Sequence, residues 1–81
     1  MIEILFFGRL GDASETLSMD LPDGVNDTDS LAAWLSEQNS VLAIELVKAG
    51  NRIAINKTII SENTPLNDGD EIAFMSPLSG G

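Results

Sequence analysis

Apolar side chains alternate along Ile2 to Gly8, with Ile2, Ile4 and Phe6 on one side and Leu5 and Phe7 on the other, which predicts a strand covered in part on both faces. Arg9-Leu10-Gly11-Asp12 has the composition of a turn. From Glu15 to Leu21 the alternation is stricter, setting Leu17, Met19 and Leu21 against Thr16, Ser18 and Asp20. That pattern predicts a half-buried strand forming a hairpin with the first. Beyond Pro22-Asp23-Gly24 the period changes: Leu31, Trp34 and Leu35 recur at i, i+3 and i+4. This is the stripe of a helix running to about Gln38, with Trp34 as core packing against a sheet. Asn26, Asp27 and Thr28 all offer cap oxygens at its start, and Asp27 and Asp29 suit the positive end of the helix dipole.

Val41 to Val47, apolar except for Glu45, reads as a short second helix or an irregular turn closed by Gly50-Asn51. Period two returns at Arg52 to Asn56, with Ile53 and Ile55 on one face. A turn at Asn56-Lys57 leads into Thr58-Ile59-Ile60. Asn63-Thr64-Pro65 breaks the pattern and Leu66 is expected to anchor in the core. Asn67-Asp68-Gly69-Asp70 is a turn in which Gly69 can supply a positive φ. Glu71 to Met75 is the last strand, with Ile72 and Phe74 inward.

The order strand, strand, helix, then two or three strands segregates helix and sheet, which is an α+β two-layer domain. In about 80 residues it suggests a β-grasp, or ubiquitin-like, fold: a mixed sheet with one main helix packed across it. The first and last strands, the most apolar, would lie parallel at the centre. Residues 1–76 are assigned to this domain and 77–81 to a flexible diglycine tail.

Composition narrows the chemistry. A chain of 81 residues makes one domain with a modest core. It has no cysteine and no histidine, which removes disulfides, thiolate nucleophiles and the commonest general base and metal ligand. Thirteen acidic residues against four basic ones give a net charge of −9, which disfavours nucleic acid and favours encounter with a basic protein surface. No leader or membrane-length apolar run is visible, so the chain is read as soluble and cytoplasmic. Asp68, Asp70 and Glu71 read as turn residues in preference to a metal or acid–base site, and no metal site is expected. Arg52 and Lys57 are either ordinary solvated bases or ion-pair partners for another protein. Phe7, Met75 and Leu78 either form an exposed apolar patch or finish the core edge.

What remains is the end of the sequence, Ser76-Pro77-Leu78-Ser79-Gly80-Gly81, directly after the last strand. Glycines without Cβ can thread a narrow channel, and Pro77 restricts the base of the segment. Five residues at ~3.3–3.6 Å each reach ~17 Å when extended. The reactive group this suggests is the Gly81 carboxylate, the alternative being a frayed terminus or a cloning remnant.

The ending from Asp68 to Gly81, with Ile4-Leu5-Phe6-Phe7-Gly8-Arg9-Leu10, Ala54-Ile55-Asn56-Lys57 and Pro65-Leu66-Asn67-Asp68-Gly69-Asp70-Glu71, resembles the MoaD family of ubiquitin-like sulfur carriers, the small subunits of molybdopterin synthase. Met75, Ser76 and Gly11-Asp12 depart from that family's usual aromatic, proline and basic residue. The resemblance implies that a ubiquitin-activating-like adenylyltransferase uses ATP and Mg to adenylate Gly81, and that the chain binds no cofactor itself. A sulfur source of desulfurase or rhodanese type then gives a Gly81 thiocarboxylate. The tail Pro77, Leu78, Ser79 and Gly80 would thread into the large subunit of a heterotetrameric synthase, sulfur would pass to cyclic pyranopterin monophosphate, and catalytic residues would belong to that subunit. Phe7, Arg9, Lys57 and Met75 are the implied partner-binding positions. Alternatives are a sulfur carrier for thiamin thiazole synthesis, a ubiquitin-like protein modifier, or a plain binding module.

Overall fold

The computed structural model describes residues 1–77. In chain order the elements are β1 (Ile2–Phe7), α1 (Arg9–Ala13), β2 (Leu17–Met19), α2 (Thr28–Gln38), α3 (Ser40–Leu46), β3 (Arg52–Ile55), β4 (Thr58–Ile60) and β5 (Glu71–Met75). The five strands form one mixed sheet in the order β2-β1-β5-β3-β4. β1 and β5 run parallel from Glu3↔Glu71 to Phe7↔Met75, and β3 pairs antiparallel with the other side of β5. The expected β-grasp arrangement is therefore present, with the last strand in mid-sheet and hydrogen-bonded on both sides.

Ile2, Ile4 and Phe6 of β1 and Ile72 and Phe74 of β5 face the helices, where they meet Leu10, Leu31, Leu35, Leu42, Val25 and Leu66. Phe6 and Phe74 are register partners whose rings stack at 5.8 Å, contributing about 0.5–1.5 kcal/mol beyond their buried area. Trp34 is half-buried against this core, as its place in the helical stripe predicts. Asp27 caps α2 by accepting from the Ser30 N–H at 2.9 Å while the Ser30 hydroxyl accepts from the Asp27 N–H at 3.2 Å, a reciprocal capping box.

Two details differ from the sequence expectation, and a third decides between two readings it left open. Arg9-Leu10-Gly11-Asp12 begins a five-residue helix instead of a plain turn. One helical turn repeats the backbone angles of a type I turn, and here it carries Leu10 to full burial. β2 is shorter than Glu15 to Leu21: only Leu17 to Met19 pairs with β1, opposite Ile4 to Ile2, and the chain before Leu17 does not follow Leu5 to Phe7 of that strand. Val41 to Val47 resolves as helix: Asn39 Oδ1 accepts from the Val41 and Leu42 N–H groups, both at 3.0 Å, and its amide donates to the Ala13 carbonyl at 2.9 Å. Among the described residues α2, the longest of three helices, is the main helix expected across the sheet.

Candidate functional site at the end of the central strand

The sheet face turned away from the helices carries rows fixed by register: Phe7–Met75–Arg52 across β1, β5 and β3, and Leu5–Ala73–Ala54–Ile59 as far as β4. Phe7 is 50% exposed and Ile59 63% exposed, with Met75 half-buried between them. Together with Gly8, Gly50, Ser76 and Pro77 they line an open depression of about 550 Å³. This apolar surface sits where β5 ends and the chain leaves the sheet. Of the residues read as either patch or core edge, Phe7 is exposed and Met75 half-buried beside it. Leu78, Ser79, Gly80 and Gly81 lie outside the described residues.

Three hydrogen bonds hold Ser76 against the body. The Arg9 N–H donates to Ser76 Oγ at 2.9 Å, and the Ser76 N–H and hydroxyl both reach the Phe7 carbonyl at 3.4 Å. This approach is open because residue 8 is glycine: at its φ of +67°, a Cβ would sit 2.0 Å from Ser76 Oγ. One residue further on, Pro77 packs over Gly50, whose φ is +90° and whose Cβ would lie 2.7 Å from Pro77 Cγ. Pro77, assigned by the sequence to the tail, therefore touches the domain body.

Of the anticipated partner positions, the structure gathers Phe7, Arg9 and Met75 around this exit. It sets Lys57 at the other end of the sheet, in the β3–β4 turn beside the start of β5. Arg52, opposite Met75, occupies the exit end instead. Lys48, held by Glu45 at 2.9 Å, lines a smaller recess of about 160 Å³ with Arg9 and Pro77. The sequence did not point to Gly8, Gly50 or Ile59 as part of this site. The glycines were visible, but nothing local tells which distant side chain each must admit.

The other acidic clusters are structural. Asp70 accepts from the Asn67 N–H at 2.8 Å and from the Asn56 amide at 2.9 Å, closing the turn before β5. Asp68 pairs with the Met1 amine. The Asp27 carboxyl is held below its ordinary range, first by the Ser30 hydroxyl, then by the Ser30 N–H and the Asn63 amide. Among the described residues no group of three His, Cys, Asp or Glu side chains is placed to hold a metal ion. No helix among them is long and apolar enough to cross a membrane.

The chain is 31% identical over all 81 residues, and over the full length of both proteins, to the molybdopterin synthase sulfur carrier subunit of Escherichia coli. It is 28% identical over 81 residues, again the whole of both, to the subunit of that name in Haemophilus influenzae. Among solved structures it resembles a chain of the complex between subunits 1 and 2 of molybdopterin-converting factor from Helicobacter pylori, with a TM-score of 0.68 and 31% identity over 99% of this chain and 97% of that one. SAMP1 from Haloferax volcanii, at 22% identity, shares the fold with a TM-score of 0.80 over 99% of this chain and 98% of that one. The model of the ThiS family matches residues 4–81. With that match and whole-length relatives of this kind, the chain belongs to the ThiS family, alongside the molybdopterin synthase sulfur carrier subunits.

Proposed function

We propose that this chain is the sulfur carrier subunit of a molybdopterin synthase, with the Gly81 carboxylate as its working group. A free carboxylate is a poor acyl donor, since its charge is delocalised and oxide does not leave. An adenylyltransferase partner would use ATP and Mg to let a Gly81 oxygen attack the α-phosphorus, expelling pyrophosphate and leaving an acyl-adenylate. Persulfide sulfur from a desulfurase- or rhodanese-type donor would then displace AMP to give an acyl disulfide, and a second thiol would attack the donor's sulfur, forming a disulfide with it and releasing the Gly81 thiocarboxylate. In the large subunit that sulfur would pass to cyclic pyranopterin monophosphate, and two deliveries would complete the dithiolene. The carrier supplies no general acid or base in this scheme, so proton transfers belong to the partner's residues.

The observation that carries this reading is the end-to-end match to named sulfur carrier subunits, joined to a central strand that delivers Ser76 and Pro77 to an exposed apolar margin. That margin, with Phe7 and Met75 flanked by Arg9 and Arg52, is the surface we assign to the large subunit. A domain over 1–76 with the tail from 77 is retained as part of the proposal. The ThiS family match alone would also suit sulfur donation to thiamin thiazole, but the whole-length relatives favour the molybdopterin branch.

The test is intact mass after incubation with the adenylyltransferase, ATP, Mg and a persulfide source. One oxygen exchanged for sulfur is expected in the intact chain and in none of the chain lacking Gly81. Sulfur uptake by the Gly81 deletion would refute the mechanism. Loading of the intact chain without transfer to the pterin precursor in the large subunit would point to the thiazole branch.

A further inference from the structure

The geometry points to Ser76 as a positioning residue that sets the direction in which the C-terminal segment leaves the sheet. Its purpose rests on the sulfur-carrier reading, while its geometry can be tested without it. The β1–β5 ladder ends at Phe7↔Met75, so beyond Met75 the chain has lost its strand partners and needs other contacts to hold a course. Ser76 supplies them. Its Oγ accepts from the Arg9 N–H at 2.9 Å, and its N–H and hydroxyl both approach the Phe7 carbonyl at 3.4 Å.

These partners are backbone groups at the junction of β1 and α1, the part of the chain braced by fully buried Leu10. A side chain bonded to them inherits the rigidity of the core. The notch that receives it exists only because Gly8 has no Cβ and adopts a φ of +67°, so the fit requires both residues. Pro77 adds a second constraint of a different kind. Its own φ is fixed by the ring, and it rests against Gly50 on the other side of the exit. One hydrogen-bonded residue followed by one ring-locked residue defines a direction.

A carrier whose tail must enter a pocket gains from this arrangement because only correctly directed tails bind. If a fraction of molecules is so directed, apparent affinity falls in proportion to that fraction, with no change in the step that follows. Removing Oγ forfeits the bond from the Arg9 N–H and the long 3.4 Å one to the Phe7 carbonyl; the first alone corresponds to about a five-fold change in that fraction. The effect should therefore fall on KM for the carrier and leave kcat unchanged.

The experiment uses two spin labels on the full chain, at Leu78→Cys and Glu37→Cys, in a protein with no cysteine of its own. The distance distribution between them is expected to be broader in Ser76→Ala than in the otherwise unaltered chain, and to return toward that of the unaltered chain in Ser76→Thr, which keeps the acceptor. The Arg9 amide should exchange with solvent about five-fold faster in Ser76→Ala. In adenylation by the activating partner, Ser76→Ala should raise KM about five-fold at constant kcat, with Ser76→Thr restoring it. An unchanged distribution in Ser76→Ala overturns the inference, as does a Ser76→Thr chain that behaves like Ser76→Ala. If the unaltered chain takes up no adenylate at all, the sulfur-carrier reading fails, and the distance measurement still decides the role of Ser76.

Discussion

Replacing Gly8 with alanine tests the exit geometry through stability. Gly8 sits at φ 67° and ψ −137°, outside the left-handed helical region that other residues visit and in territory that is largely glycine's own. Forcing alanine to hold those angles costs roughly 1–3 kcal/mol. The new methyl would also lie 2.0 Å from Ser76 Oγ, so Ser76 must move and its bond from the Arg9 N–H is lost, adding about 1 kcal/mol. Against this, alanine restricts the unfolded chain more than glycine does and returns about 0.4–1 kcal/mol. The net is a destabilisation of about 2 kcal/mol, a substantial part of the ~4–12 kcal/mol expected for a domain of this length. At ~4–8 °C per kcal/mol in a small domain, the melting temperature should fall by about 8–16 °C in a circular dichroism melt.

Combining Gly8→Ala with Ser76→Gly separates the two terms. The backbone cost persists, while the clash and the lost bond are already absent, so the double variant should be less destabilised than the sum of the singles by about 1 kcal/mol. A fall of less than about 3 °C in Gly8→Ala, or strict additivity in the double variant, would show that residue 8 does not need to be glycine for the reason given.

Two further outcomes follow from the same structure. Phe7→Asp on the open face should weaken binding to the large subunit at least ten-fold, or about 1.4 kcal/mol, with little change in melting temperature, whereas Lys57→Glu at the far end should leave affinity within about two-fold; calorimetry with purified partners checks both, and the reverse ranking would move the interface. Asp27→Asn should lower stability at neutral pH. Because the folded-state pKa is depressed, the carboxylate's contribution is complete above its ordinary value of about 3.9 and is lost as pH falls through the lower folded value; a difference between the two chains that stays constant through that acid range contradicts the bonding around Asp27.

The sheet was legible because its signals are local or periodic. Alternation set which faces of β1 and β5 turn inward, and the unbroken apolar character of Ile4–Phe7 and Ile72–Met75 marked them as the central pair. Asp27 could be named among three candidate caps because the cap chemistry lies within a few residues of the helix it starts. The seven residues of α3 were ambiguous since its Val41 and Ile44, like Val47 just after it, are exposed in the fold, leaving Leu42 as its one fully buried apolar residue and no clear stripe to read. The exit was legible only as a strand followed by serine and proline. Its working parts pair residues far apart in the chain, Gly8 with Ser76 and Gly50 with Pro77, and such a pairing leaves no periodic trace. Lys57 could be read as an ion-pair partner for another protein because bases are scarce in this chain, but only register, which composition does not encode, shows that it stands at the end of the sheet opposite the exit.

The position of β5 explains why the aim of the tail and the stability of the domain can be separated. A strand bonded on both sides opens only with the core, so its end stays in place for as long as the protein is folded. The edge strands β2 and β4, three residues each, are where fraying would begin, and neither carries the exit. Protection by the ladder stops at Met75, and Ser76 is the first residue whose placement depends on side-chain contacts. Core substitutions should therefore change the folded fraction without redirecting the tail, and Ser76→Ala should redirect the tail at a cost of only about 1 kcal/mol in stability. Gly8→Ala, which strains the backbone and evicts Ser76 together, should do both.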